Sequence, residues 1–491
     1  MTIRPTIRTH VSRGTWTRIP GAAVLLGSLV AGLPAAPDMP AGPGAPGVPG
    51  GSEAPWVPGG PGAASGPGRP GAPGGPGGPS APGVPGGETG GRVTVSRAPA
   101  GSAIPGRYII RLRPGGLAAD VIIPTGVRPL YVYQSVFNGF AATLTPEQVN
   151  EVLGHPEVAA VEEDGLVRAF GDHPPTPQAP DHGAPAAWRD RGGPGAGRGA
   201  GGGGPAVPWA AGRGAPTLSW GLDRIDQRRL PLDHSFTVAH DGTGITAYIL
   251  DSGISASRAE FTGRLTPGYS VIKDGKGTTD CLGHGTFVAG IVGGATWGVA
   301  RNIHLAPVRV LDCKGAGAFS GIIAGLDWVA KNAIRPAVAN ASLGGAKSPA
   351  VNEAANELTR SGVFLAAAAG NSFGDACEVS PAGAPAVLTI AASTITDTPA
   401  EFSNTGPCVD LFAPGLDIIS ATPGTTAPGT KTGDGTSYAA PFVTGVAALY
   451  KQAHGDTPTA TLQNWLVDNA TTTLTAVPAD TPDRLLYTNG L

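Results

Sequence analysis

This chain of 491 residues is short of charge: only 14% of its residues are Asp, Glu, Lys or Arg, and the formal net charge is −3. That balance offers no basic excess to hold nucleic acid or an anionic membrane, so neither is expected as a partner. Long apolar runs are also missing. The run at residues 22–33 falls well short of the roughly 20 residues that span a bilayer, and no later segment spans either. Cysteine is scarce, with four in all, which allows three pairings. Residues 37–105 and 171–215 hold too few aromatic and β-branched side chains to offset the entropy of ordering a chain. Glycine and proline concentrate there, so both stretches read as disordered spacers. A collagen-like run at residues 68–77 loses its triplet register too soon for a triple helix.

At the N-terminus, Arg4, Arg8, Arg13 and Arg18 precede the apolar run, and the small residues Ala35 and Ala36 follow it. This is the pattern of a secretory signal peptide over residues 1–36, and it implies an extracellular protein. In that setting four cysteines suggest two disulfides, with a free thiol at Cys281 as the alternative. The length and the 41% hydrophobic content allow a large core and two or more domains.

Three short stretches stand in the order Asp, His, Ser across the second half: Leu250-Asp251-Ser252-Gly253-Ile254, Gly283-His284-Gly285-Thr286 and Gly435-Thr436-Ser437-Tyr438-Ala439-Ala440-Pro441. A serine hydroxyl is a poor nucleophile until a histidine takes its proton, and that histidine needs a buried carboxylate to fix its tautomer. Asp251, His284 and Ser437 therefore read as the catalytic group of a serine peptidase, although each alone would read as a turn, cap or surface residue. Apolar runs at 244–250, 305–311, 337–343 and 363–369 alternate with helical spacing at 321–332 and 350–361. This alternation predicts an α/β fold, a doubly wound and mainly parallel sheet with Asp251 at the carboxyl end of its strand. His284 begins one helix, and Ser437 stands at the mouth of another over 438–453, where its N–H can meet an oxyanion.

On these motifs, residues 216–491 resemble the subtilisin-like serine peptidases, within them the proteinase K and aqualysin group. Residues 106–170 more weakly resemble the inhibitory propeptide of that family. The resemblance implies a second oxyanion donor at Asn371, in Ala368-Ala369-Gly370-Asn371. It implies that Ser342, Leu343 and Gly344 bind a peptide substrate as an added β-strand. Ala366, Ala367, Ala368, Ala369 and Gly370 would form a pocket wall without acid or base, which favours apolar or aromatic residues before the scissile bond. The family pairing implies Cys281 with Cys313 and leaves Cys377 with Cys408, each bridge worth roughly 3 to 4 kcal/mol at best. A structural calcium would be held by the Pro385 and Val387 carbonyls and the Asp410 carboxylate, hard oxygens that suit the ion. Asp410 as a solvated loop acid is the alternative, and catalysis itself needs no cofactor. Two positions depart from the family: Phe287 stands where His is usual, and Tyr438 where Met usually follows the nucleophile. The bulkier Tyr438 is expected beside the oxyanion hole, and loss of that Met lowers sensitivity to oxidation.

The upstream module shows strands at 108–112 and 130–136, an Asn138-Gly139-Phe140-Ala141-Ala142 turn, and a closing segment at 158–163. A helix from Pro146 opens with Thr145 and Gln148 spaced as a capping box. The first helix has only residues 117–121 available. By resemblance, this module aids folding and then blocks the cleft with its last residues. The implied partners are protein or peptide substrates and the chain's own propeptide, with a monomer as the default. Because the linker at 171–215 is long, two maturation cuts are expected, near Phe170 and near Ala215. A rival reading is open: Gly370-Asn371-Ser372-Phe373-Gly374 fits the elbow of lipases and esterases, with Asp410 and His454 following in order. That reading leaves the three stronger motifs unexplained. A catalytically silent surface protein, with the spacers carrying the function, is a further alternative that the complete triad argues against.

Overall fold

The computed structural model describes residues 93–170, 215–217, 219–256, 259–424 and 429–491. The expected signal peptide, most of the first spacer and nearly all of the linker lie outside the described residues. The upstream module runs β1 (Ala103–Leu112), α1 (Ala118–Thr125), β2 (Pro129–Tyr133), β3 (Gly139–Thr143), α2 (Pro146–Gly154) and β4 (Val158–Ala169). Its strands are antiparallel in the order β4-β1-β3-β2. Ile110, Phe140 and Val161 of the strands pack with Val121 and Val152 of the two helices into a small core. The capping box forms as expected, with Thr145 Oγ1 accepting from Gln148 N at 3.2 Å and Gln148 Oε1 from Thr145 N at 3.1 Å. Gly126, at φ 61°, ends α1 in the left-handed region, so that helix outruns its expected length. The boundary expected at residue 106 is too late. Val95–Ser96 pairs in parallel with β4 at Val161 and Glu162, because Val93 and Val95 reach the small core.

The second region contains α3 (Trp220–Ile225), β5 (Thr246–Asp251), β6 (Tyr269–Ser270), α4 (His284–Gly293), β7 (His304–Arg309), β8 (Ala316–Ala318) and α5 (Phe319–Asn332). It continues with β9 (Ala337–Ala341), β10 (Leu343–Ala346), α6 (Pro349–Arg360), β11 (Phe364–Ala368), β12 (Val379–Ser380), β13 (Leu388–Ser393), β14 (Leu411–Pro414), α7 (Thr436–His454) and α8 (Thr459–Asn469). A seven-stranded sheet, ordered β14-β13-β11-β9-β5-β7-β6, is parallel throughout. Helices α4 and α7 share one core with one face of the sheet, and α5 and α6 share another core with the opposite face. Every residue of β5, β9, β11 and β13 is buried, as a sheet covered on both faces requires. This is the doubly wound arrangement expected.

The strand expected over 337–343 breaks at Ser342, where the chain leaves the central sheet, and β10 joins a second sheet instead. That second sheet explains why β4 outruns its expected end at residue 163. The far half of β4 pairs antiparallel with β8, Leu166 to Arg168 against Ala318 to Ala316, and also with β10, Ala169 and Arg168 against Leu343 and Gly344. Both expected disulfides are present, Cys281–Cys313 and Cys377–Cys408, so Cys281 is not a free thiol. No helix among the described residues is long and apolar enough to cross a membrane.

Candidate active site

Asp251 ends the central strand β5 fully buried, and its Oδ1 accepts from Ser252 N at 2.7 Å. His284 opens α4, and its Nδ1 lies 2.8 and 2.9 Å from the two Asp251 carboxylate oxygens. This contact keeps the proton on Nδ1 and leaves Nε2 as the basic nitrogen. His284 Nε2 is buried without a hydrogen-bond partner, and Ser437 Oγ donates to the Ser342 carbonyl at 2.9 Å. The hydroxyl therefore stands in a rotamer turned away from proton transfer. Ser342 is itself anchored, since its Oγ donates to Ser437 O at 2.7 Å and accepts from Asn340 Nδ2 at 2.8 Å.

Asp280 ties the aspartate segment to the histidine helix, a role the sequence reading missed. The N-cap of α4 is Gly283, which has no side chain to offer. Asp280 Oδ1 accepts instead from Leu282 N at 2.9 Å, Gly283 N at 2.8 Å and Ser252 Oγ at 2.9 Å. Its Oδ2 accepts from Thr286 N at 2.9 Å and Thr286 Oγ1 at 2.5 Å. Ser252 Oγ in turn accepts from Gly285 N at 3.0 Å. A Cβ on Gly285 would stand 2.2 Å from the Gly253 carbonyl, so only glycine lets the two segments approach. The signal was an acid in the turn ahead of a helix start, the position at which an N-terminus is capped.

Asn371 Nδ2 donates to the carbonyl of Phe170, the residue that follows β4, at 3.1 Å. The amide cannot flip without loss, because its Oδ1 accepts from Thr436 N at 2.9 Å and Thr436 Oγ1 at 2.7 Å. A Cβ on Gly435 would lie 2.7 Å from Phe170 O and 3.0 Å from Asn371 Nδ2, so that glycine makes room for the carbonyl. Phe170 N donates to Ser342 O at 3.4 Å and Ala169 N to Gly315 O at 3.0 Å, so the segment is held as a strand on both sides. The Phe170 ring lies on Gly344, where a Cβ would meet Cζ at 2.5 Å. Gly344, Gly345, Gly370, Val379 and Asn404 line the cleft around it.

The wall expected from Ala366, Ala367, Ala368 and Ala369 is a correction. These four side chains are fully buried in the cores on either side of β11, and only Gly370 of that stretch lines the cleft. Small residues on a central strand suit close helix packing as well as they suit a pocket. The cleft does carry two acids from elsewhere, Asp375 and Glu378, and Glu378 pairs with Lys347 at 3.0 Å. Tyr438 is also placed differently from expectation. It is fully buried against Phe287, with ring centroids 4.3 Å apart, and its ring lies 5.7 Å from the His284 ring. It therefore packs behind the histidine.

The lipase-like elbow is not assembled. Ser372 Oγ donates to Asn404 Oδ1 at 3.0 Å, Asp410 Oδ2 accepts from Thr389 N at 2.8 Å, and His454 packs on Tyr450 at the far end of α7. Of the expected metal group, Val387 is buried, Pro385 is exposed, and burial pushes the Asp410 carboxyl up to about 6 against the opposing Thr389 hydrogen bond and Arg484 charge. A desolvated carboxylate of this kind suits a hard cation. A second group of acids went unnoticed in the sequence: Asp223, Asp226 and Asp233 lie near one another, and burial pushes Asp223 up to about 6 and Asp226 to about 7. Backbone N–H groups of Asp233, His234 and Thr237 already donate to the first two.

The upstream module holds the other region through buried acids. Asp164 accepts from Ser320 N at 3.0 Å and Ser320 Oγ at 2.6 Å, and pairs with Arg107 at 2.8 Å. It thereby caps α5, whose own N-cap, Ala318, makes no side-chain bond. Glu162 accepts from Ala350 N at 3.0 Å and from Ser348 Oγ at the start of α6, while burial raises its carboxyl above the usual range. In return, Asp327 Oδ1 accepts from the backbone of Gln134, Ser135 and Val136 at 2.9, 2.6 and 3.1 Å.

Known proteins share this architecture. The Subtilase family pattern matches residues 242–486, and the Peptidase inhibitor I9 pattern matches residues 117–170. An extracellular serine proteinase of Thermus sp. (strain Rt41A) is 41% identical over 387 residues, covering 74% of this chain and 83% of that one. Alkaline serine exoprotease A of Vibrio alginolyticus is 40% identical over 356 residues, 72% of this chain, which spans only 59% of that protein. The crystal structure of a cold adapted subtilisin-like serine proteinase, 46% identical, superposes with a TM-score of 0.54 over 56% of this chain and 99% of that one. The chain belongs to the subtilase family, the subtilisin-like serine peptidases, and carries an I9 propeptide module upstream of its peptidase domain.

Proposed function

We propose that this protein is a secreted serine endopeptidase, made as a zymogen that cuts its own chain after Phe170. The observation that carries the reading is the Phe170 carbonyl on Asn371 Nδ2, with the residues before it paired as a strand along the cleft. Phe170 is then the residue before the scissile bond. Ser437 Oγ swings from Ser342 to His284 Nε2, gives up its proton and attacks the carbonyl carbon. The resulting oxyanion takes hydrogen bonds from the Asn371 amide and the Ser437 N–H, while Asp251 stabilises the imidazolium. His284 next hands its proton to the leaving amine, and water completes the cycle through the same base.

The bound segment suggests the preference of the cleft. Phe170 lies against Gly344, and Val167, 1% exposed, fits where Gly317 leaves room beside Leu311. Apolar residues are thus favoured at the first and fourth positions before the cut, whereas Arg168 between them lines the open cleft. Pro385, Val387 and Asp410 would hold a structural calcium, and chelation should then lower the melting temperature without a direct effect on Ser437. An unchanged melting temperature in excess chelator would dismiss the ion.

The deciding test compares secreted wild type with Ser437→Ala on a chromogenic peptide bearing Phe before the scissile bond. The expected result is a loss on the order of 10⁴-fold or more, with uncut precursor accumulating. Retained activity in the variant would overturn the assignment, a released upstream module that does not end at Phe170 would overturn the first cut, and a single mature start at Gly171 would overturn the second cut expected near Ala215.

A further inference from the structure

Phe287 stands three residues after His284 on α4, and Tyr438 directly follows Ser437 on α7. Their rings meet at 4.3 Å between centroids, tilted by 44°, and the Tyr438 ring lies 5.7 Å from the imidazole of His284. Both aromatic side chains are fully buried. These two helices carry the two ends of the proton transfer, so the spacing from Ser437 to His284 depends on how α4 packs on α7. Asp251 grips the imidazole at one edge only, through Nδ1. Contacts at one edge leave the tilt of the ring to whatever packs on its face. On the other helix Tyr438 fills that place, and Lys431 Nζ, 5.7 Å from the Phe287 ring, holds Phe287 through a cation–π contact.

We propose that Phe287 and Tyr438 form one positioning unit, matched to each other, that fixes His284 against Ser437 and so governs the chemical step rather than substrate binding. The proposal rests on the peptidase reading of those two residues. The two positions where this chain departs from its family are thereby a single change. His at position 287 would put a polar ring against a buried tyrosine, and Met at position 438 would leave Phe287 and the imidazole a looser, more flexible neighbour.

The test uses the full secreted chain, with kcat, KM and melting temperature measured for wild type, Tyr438→Phe, Phe287→His, Tyr438→Met and the double Phe287→His/Tyr438→Met. Phe287→His and Tyr438→Met are each expected to lower kcat about tenfold with KM within about twofold, and the double to recover most of that loss, as coupled contacts do. Tyr438→Phe, which keeps the ring and the fold, is expected to hold kcat within about threefold. Unchanged kcat in Phe287→His and Tyr438→Met, or losses that simply multiply in the double, would overturn the proposal. So would a large fall in kcat for Tyr438→Phe at unchanged melting temperature, which decides the matter if the other singles do not fold. An inactive wild type, or activity that survives Ser437→Ala, would instead remove the peptidase reading beneath it.

Discussion

The buried acids and the amide that orient the candidate triad are held from within the peptidase domain, whereas the upstream module satisfies two of its buried acids against the other region. Asp251, Asp280 and Asn371 find their donors in His284, Thr286, Ser252 and Thr436. Asp164 and Glu162 find theirs in Ser320, Ser348 and Ala350. The difference teaches which geometry survives separation. When the module leaves, the Asp251–His284 contact and the Thr436 bonds to Asn371 Oδ1 remain, and Asn371 Nδ2 gives up the Phe170 carbonyl, while α5 loses the only side-chain cap described for it.

The sharpest way to break this comparison is within the peptidase domain. Asn371→Ala removes the donor to the Phe170 carbonyl, and kcat should fall roughly 100- to 1000-fold, the range known for such a donor in subtilisin itself, with KM little changed. A drop of under tenfold would mean that Asn371 is not the group that meets the oxyanion. The next effect lies across the boundary. Asp164→Ala leaves Arg107 without its acid, with only the Ser320 hydroxyl to bond, and Ser320 N–H uncapped, so activity should emerge from the processed complex about tenfold faster, a capping loss of about 1 kcal/mol plus the ion pair. An unchanged lag would show that the strand contacts of β4 alone hold the module. The smallest effect is expected at Arg97→Ala, because Arg97 is 77% exposed in its pairing with Glu163. Exposed pairs contribute little, so neither lag nor melting temperature should move measurably, and a clear shift would reveal that the segment before β1 matters to docking.

What the sequence made legible was local. Asp251, His284 and Ser437 each sit in a flank a few residues long, and the strands of the central sheet announce themselves as short apolar runs because both faces are buried. The capping box of α2 is likewise a matter of neighbours three residues apart. Remote pairing was hidden: nothing in residues 164–169 says that they lie between two edges more than a hundred residues away in the chain. Ala366–Ala369 were misassigned because small side chains serve a packed strand and a pocket wall alike. Asp280 was overlooked because an acid in a Gly-containing turn resembles a solvated one until its five donors are seen. The direction in which Tyr438 points follows from helix packing, which a one-dimensional pattern does not carry.

The register of β4 along β8 and β10 means that Leu166 to Phe170 occupy the cleft before any other peptide can. A heritable change that reshaped the cleft would therefore meet its first trial inside the same molecule, against a segment encoded by the same gene. If the proposed cut after Phe170 is made by the chain itself, variants that no longer accept their own Phe170 and Val167 would stay locked as precursors, however well they suited a foreign protein. On that reading, the preference of this enzyme can drift only as fast as the segment it must cut first drifts with it.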